Sequence, residues 1–125
     1  MTLTLALGLV FATQAPVAAT APELQPDQTT DAAYGELAAG RTAEAITLIE
    51  KARAKGSANP ALLINLGTAY AQQGRFDEAR QAYRAAIAAN DSVFLETASG
   101  KWVESRTLAR IALGRLDGSG TLAMR

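Results

Sequence analysis

Histidine and cysteine are absent from this chain of 125 residues. Without them there is no thiolate nucleophile, no disulfide and no imidazole to act as a base near neutral pH. The usual ligand sets for zinc and haem go with them, so no metal and no cofactor are expected. Nor is there a cysteine to carry a lipid. An excess of one charge is missing too: twelve Lys and Arg balance twelve Asp and Glu. A neutral chain has no net field to draw in nucleic acid or an anionic membrane. Aromatic residues are few, with one Trp, three Tyr and three Phe. Alanine is plentiful, which suits closely packed helices.

Charged side chains are lacking altogether from Met1 to Ala21, and the first basic residue is Arg41. Leu3, Leu5, Ala6, Leu7, Leu9, Val10 and Phe11 form a short apolar run. It has the length of a signal-peptide core and falls short of the ~20 residues that span a bilayer. Small residues follow, so residues 1–19 are expected to be a signal peptide cleaved after Ala19, or second after Ala21. Cleavage after Ala21 would leave Pro22 next to the cut, which is unfavourable. The expected location is the periplasm. Because no Lys or Arg precedes the apolar run, the alternative is an uncleaved N-terminal membrane anchor. No stable membrane span is expected elsewhere. Residues 20–30, with two prolines and little to bury, read as a linker.

The stretch from Asn59 to Asn90 carries the strongest pattern. Asn59 is a good helix N-cap and Pro60 a good first helical residue, since proline's missing N–H has no partner there anyway. Leu62, Leu63, Leu66, Ala69 and Tyr70 share one helical face. After Gly74, suited to the left-handed conformation that ends a helix, a second stripe runs through Ala79, Ala82, Tyr83, Ala86 and Ile87. Asp77 and Glu78 fall in the first turn of that second helix, where the helix dipole favours negative charge. The two helices form an αα-hairpin, and Gly67 is expected opposite Ala79 where their axes approach to ~8–10 Å.

Asn65-Leu66-Gly67, Ala69-Tyr70, Gln73-Gly74, Phe76-Asp77-Glu78-Ala79, Tyr83 and Ala86 resemble the tetratricopeptide repeat (TPR), a family with a 34-residue period. Leu63 stands where that family often has Trp, and Asp91 near its usual Pro. Gly40-Arg41-Thr42-Ala43-Glu44-Ala45 matches Gly74-Arg75-Phe76-Asp77-Glu78-Ala79 at a shift of one such period. Ala45, Leu48, Ile49 and Ala52 then make the stripe of an earlier second helix. Its first helix is degenerate: Ala32-Ala33 replace Leu-Gly, and Glu36 replaces the tyrosine. A terminal repeat is expected to be atypical because one side faces water.

After Asn90 the period fails. A third repeat needs a glycine near residue 108, where Leu108 stands. Val93 to Thr97 and Trp102 to Glu104 are rich in strand formers around a Ser99-Gly100 turn. A small β-hairpin over 93–104 is expected, with a helical turn from Ser92 and a loop as the alternative. Because an isolated hairpin is marginal in water, Phe94 and Trp102 are expected to pack onto the helices. Ser105 is expected to cap a last helix bearing Leu108, Ile111, Ala112 and Leu116 on one face and Arg106, Arg110 and Arg115 on the other.

The expected fold is therefore all-α, a short TPR-type array of two repeats with a capping helix and the small hairpin. The expected segments are a first repeat at 31–56, a second at 57–90, an insertion at 91–104, a capping helix at 105–117 and a flexible tail at 118–125. No catalytic constellation is present and no enzyme activity is expected. Asp77 and Glu78 diverge on a helix, and Ser92, Ser99 and Ser105 have no histidine to activate them. The TPR resemblance implies a non-catalytic protein–protein interaction module; taken with the expected signal peptide, the expected role is an adaptor or assembly factor of the bacterial cell envelope. The resemblance also implies a groove lined by the first helices of each repeat. Those positions are Ala61, Ile64, Asn65, Thr68, Ala71 and Gln72, with Asp31, Tyr34 and Ala38 in the first repeat. Asn65 matches a residue that contacts a ligand's C-terminal carboxylate in some members. The flanking cations of such a clamp are replaced by Asp27 and Asp31, which excludes it. Phe94 and Trp102 mark a second surface. The alternative role is a structural accessory that self-associates through the 93–103 hairpin. The expected partner is a protein or peptide, with the chain itself a monomer or weak homodimer.

Overall fold

The computed structural model describes residues 26–123, with side chains described over residues 28–118. The expected signal segment and residues 20–25 of the expected linker lie outside the described residues. Five helices and one sheet appear among the described residues, in the order α1 Pro26–Ala38, α2 Thr42–Ala54, α3 Pro60–Gln72, α4 Phe76–Ala88, β1 Phe94–Glu96, β2 Trp102–Glu104 and α5 Ser105–Ala123. This is the helical-hairpin array with a small two-stranded sheet that the sequence pattern implies.

The repeat spacing is strict. From Pro26 to Pro60, and again from Thr42 to Phe76, equivalent helices start one full repeat period apart. Both α1 and α3 begin on proline. The first helix thus starts at Pro26 instead of Asp31, and residues 26–30 are helix instead of linker. A proline at the first helical position is preset for helical φ and loses no intrahelical bond, so the two-proline composition that suggested a linker hides a helix start. Asn59 caps α3 in extended conformation, and its Oδ1 accepts the Ala61 N–H at 2.9 Å. Gly40 and Gly74 follow α1 and α3 at φ of +78° and +74°, a region that other residues rarely adopt.

The core runs through all five helices. Ile49, Leu62 and Leu66 are fully buried, and one continuous cluster joins Ala33 of α1, Ile49 of α2, Ile64 of α3, Tyr83 of α4 and Ala109 of α5. The partner of Gly67 differs from expectation. Ala79 is buried, but a Cβ on Gly67 would lie 2.5 Å from Tyr83 Cε1 and 2.7 Å from its Cδ1. The ring of Tyr83 lies against the α3 backbone, and only a residue without a side chain leaves room for it.

Polar ties join the repeats. Thr42 Oγ1 donates to Gln72 Oε1 at 2.8 Å, and the Tyr70 hydroxyl donates to Glu50 at 3.0 Å. Both connect α2 or its start to α3, so the first repeat is held by bonds as well as by apolar contact.

One more period beyond Pro60 falls on Phe94, where a third repeat's first helix is due and β1 begins instead. The strands pair antiparallel, with Phe94 opposite Glu104, Leu95 opposite Val103 and Glu96 opposite Trp102. A tight turn, with Gly100 at φ +77°, joins them, and the Gly100 N–H donates to Thr97 O. After the hairpin, α5 packs on α4 and α3 much as α3 packs on α2 and α1. Its buried stripe is Ser105, Ala109 and Leu116, with Leu108, Ala112 and Leu113 half-buried. Ile111, expected in that stripe, is exposed.

Two more expectations are corrected here. The last helix continues to Ala123, so the segment expected as a tail is helical that far. Gly118 and Gly120 do not end it, because a glycine only weakens a helix by about 1 kcal/mol and no proline stands between Ser105 and Ala123. Arg106 does not simply keep a face wet. Its guanidinium donates to Ala89 O at 3.0 Å and Asn90 O at 3.1 Å, meeting carbonyls just beyond α4.

Candidate functional site

Two faces of the molecule were marked by sequence, and the structure treats them differently. The first is the side where α1 and α3 lie next to each other. The repeat shift pairs Tyr34 with Thr68, Ala38 with Gln72 and Asp31 with Asn65 on the two helices. Tyr34 is 55% exposed, and Asp31, Ala38 and Gln72 are exposed as well. Asn65, Thr68 and Ala71 are half-buried. Ala61 and Ile64 are not available: they are 3% and 6% exposed and Ile64 belongs to the core cluster. Close packing between neighbouring helices of the array buries these two positions. Of the expected groove, a strip from Tyr34 across Asn65 and Thr68 to Gln72 stays open.

Some of its polar groups already have work. Thr68 Oγ1 donates to Ile64 O at 3.0 Å and lies 3.2 Å from the Tyr83 hydroxyl. Gln72 Oε1 is taken by Thr42, leaving the amide N–H groups of that side chain to face outward. Burial pushes the Tyr83 hydroxyl pKa up, with the Thr68 contact pulling it partly back. Burial also raises Tyr70, helped by its hydrogen bond to Glu50. Both phenols therefore stay protonated at physiological pH. The strip offers a ring, hydroxyls and amides, and can hold a ligand by shape and hydrogen bonding.

The second face is the hairpin. Phe94 and Trp102 do not pack onto the helices but are 69% and 66% exposed. Leu95 and Val103, on the opposite side of the strands, are half-buried, and Leu95 joins the core cluster. The base of the hairpin is anchored at Ser105. Its N–H donates to Val93 O at 2.8 Å, and its Oγ accepts the Val93 N–H at 3.2 Å. The hydroxyl expected as a helix cap thus closes the ladder between strand and helix. It is fully buried and committed to that bond.

Sequence reasoning passed over one shallow cleft, lined by Glu36, Arg41, Ala43, Glu44, Thr47 and Leu48. Its one cation, Arg41, is tied to Glu36, which leaves the Glu44 carboxylate as the net charge of the lining. The repeat shift places Arg41 on Arg75 and Glu36 on Tyr70. Among the described residues, no group of acidic side chains is arranged to hold a metal ion. No described helix is long and apolar enough to cross a membrane.

Comparison with known protein families matches residues 30–93 to the tetratricopeptide repeat. Comparison with curated proteins and with solved structures returned no match in either case. The matched segment takes in most of α1 and all of α2, α3 and α4, just over half of the chain. Two helical hairpins offset by one repeat period, with Gly67 and Tyr83 in their close approach, agree with that match: the chain belongs to the tetratricopeptide repeat family.

Proposed function

We propose that this protein is a non-catalytic adaptor or assembly factor that holds a segment of a partner protein against the α1–α3 face. TPR domains typically mediate protein–protein interaction, and that is the general role of the family. The observation that carries the reading is the open strip from Tyr34 to Gln72, set on two adjacent helices and lined by a ring and neutral polar groups, with the exposed Asp31 carboxylate beside Asn65. With no charged clamp, such a strip suits a modest-affinity ligand, an extended peptide or a helix. The bacterial envelope is the proposed setting. It is supported by the charge-free apolar segment from Met1 to Ala21, of signal-peptide length.

Affinity purification of tagged protein from crosslinked envelopes tests this. A partner recovered with the wild type and lost with Asn65→Arg, at unchanged thermal stability, supports the adaptor role. Recovery of nothing above background counts against it. Self-association through the Val93–Val103 hairpin is the second reading, and the exposure of Phe94 and Trp102 favours it. Glu96 and Glu104 on the same face weigh against it, because two-fold packing face to face brings like charges together. A dimer by light scattering that Trp102→Asp breaks would establish it.

A further inference from the structure

The outward face of the β1–β2 hairpin holds two rings and two carboxylates. Directly opposed residues of antiparallel strands share a face, so Phe94, Glu96, Trp102 and Glu104 all project the same way. Ladder bonds at Val93–Ser105 and Thr97–Lys101 make Glu96–Trp102 a non-hydrogen-bonded pair, the kind whose side chains lie closest. Glu104 has a distant partner, Arg106 at 4.0 Å. Glu96 has no cationic partner among the described residues. Nor does any described cation lie over Trp102.

The protein itself shows what fits a ring beside a carboxylate. The Arg75 guanidinium lies 4.5 Å from the centre of the Tyr70 ring while its Nε donates to Glu78 at 3.0 Å. The ring face attracts the cation and the carboxylate pairs with it. On the hairpin the ring and the carboxylate stand ready without the cation. The geometry points to an arginine or lysine side chain, carried on an extended segment of a partner protein, seated over Trp102 and paired with Glu96. An extended segment suits the place because the N–H and C=O groups of Phe94, Glu96 and Trp102 turn away from the ladder toward the strand edges. A strand laid along an edge bonds to those groups and sends alternate side chains onto the same face. Phosphate-bearing partners, such as nucleic acid or anionic lipid, are repelled by the two carboxylates.

This inference rests on the reading of the chain as a protein-binding module but uses a surface separate from the α1–α3 strip. Trp102 is the sole tryptophan, so its emission reports occupancy directly. The full chain is titrated with a Val-Arg-Val-Arg-Val peptide and with Val-Gln-Val-Gln-Val. The expected result is a saturable emission change with the arginine peptide alone. Glu96→Gln weakens it about tenfold, and about 0.5 M salt weakens it as well. Glu96 is exposed, so the variant is expected to fold, as a melting curve verifies. Asn65→Arg leaves the peptide affinity unchanged. An equal response to the glutamine peptide, no saturable response, or full affinity in Glu96→Gln overturns the proposal. So does an emission change that follows protein concentration alone, which assigns the face to a second copy. If the titration fails while Asn65→Arg still loses a crosslinked partner, the α1–α3 reading stands and only the hairpin site is lost.

Discussion

Gly67 and Tyr83 form the tightest contact that a substitution can probe. A methyl group on Gly67 would sit 2.5 Å from the Tyr83 ring, far inside ordinary contact. Overpacking of this kind costs about 1–3 kcal/mol, against a gain of about 1 kcal/mol from replacing a helical glycine with alanine. Gly67→Ala is expected to lose up to about 2 kcal/mol net by urea denaturation. Adding Tyr83→Leu should make the pair less than additive, since the smaller side chain relieves the clash. Strict additivity would remove Tyr83 as the partner. The importance of Gly67 was legible in the sequence, but its partner was not. Ala79 and Tyr83 lie one turn apart on the same face of α4, and a pattern of positions cannot choose between neighbours on one stripe.

Tyr83 also carries a pH dependence. In an unfolded chain tyrosine ionises near pH 10, whereas burial keeps the folded Tyr83 protonated to higher pH. The unfolded state therefore sheds protons first, and alkali favours it. The stability held by neutral Tyr83 is complete below about pH 10 and is lost as pH climbs through the raised folded value. Tyr70 acts in the same direction. Unfolding free energies measured from pH 8 to 11 should fall more gently in Tyr83→Phe than in the wild type.

At the scale of elements, the join between hairpin and α5 is where local signals and tertiary packing part ways. Ser105 is fully buried, and its hydroxyl accepts a strand N–H. Ser105→Ala leaves that donor unpaired, which costs about 1–3 kcal/mol. Amide exchange at Val93 should quicken in the variant before the rest of the domain loosens; unchanged protection there would contradict the assigned bond. The strands themselves were legible from Val, Phe and Trp around a Ser-Gly turn. Which face turns inward was not, because apolar residues occupy both parities: Val93 and Leu95 on one side, Phe94 on the other. The marginal stability of a lone hairpin argued for burying the aromatics, but the helical surface takes Leu95 and Val103 instead. The start of α1 was readable in principle. Pro26 stands one repeat period before Pro60, yet its polar surroundings look like a linker until the period is applied to them.

Across the whole molecule, two repeats and α5 share one core, which meets the need of repeat arrays for about three stacked units. The hairpin interrupts the array where the third repeat is due, and α5 then resumes the packing. Ala61 and Ile64 show what sequence matching leaves out. They fall at groove positions of the repeat, but how open a groove is depends on how closely successive helices pack, and here the core takes both side chains. What stays open is the strip through Tyr34, Asn65, Thr68 and Gln72, the proposed partner site. The most direct measurement of its role places a photo-crosslinking residue at Tyr34, with the same residue at Arg84, exposed on α4, as the reference position. In intact cells a discrete crosslinked partner is expected from position 34 and none from position 84. Equal capture from both positions, or capture from position 84 alone, would contradict the proposed site.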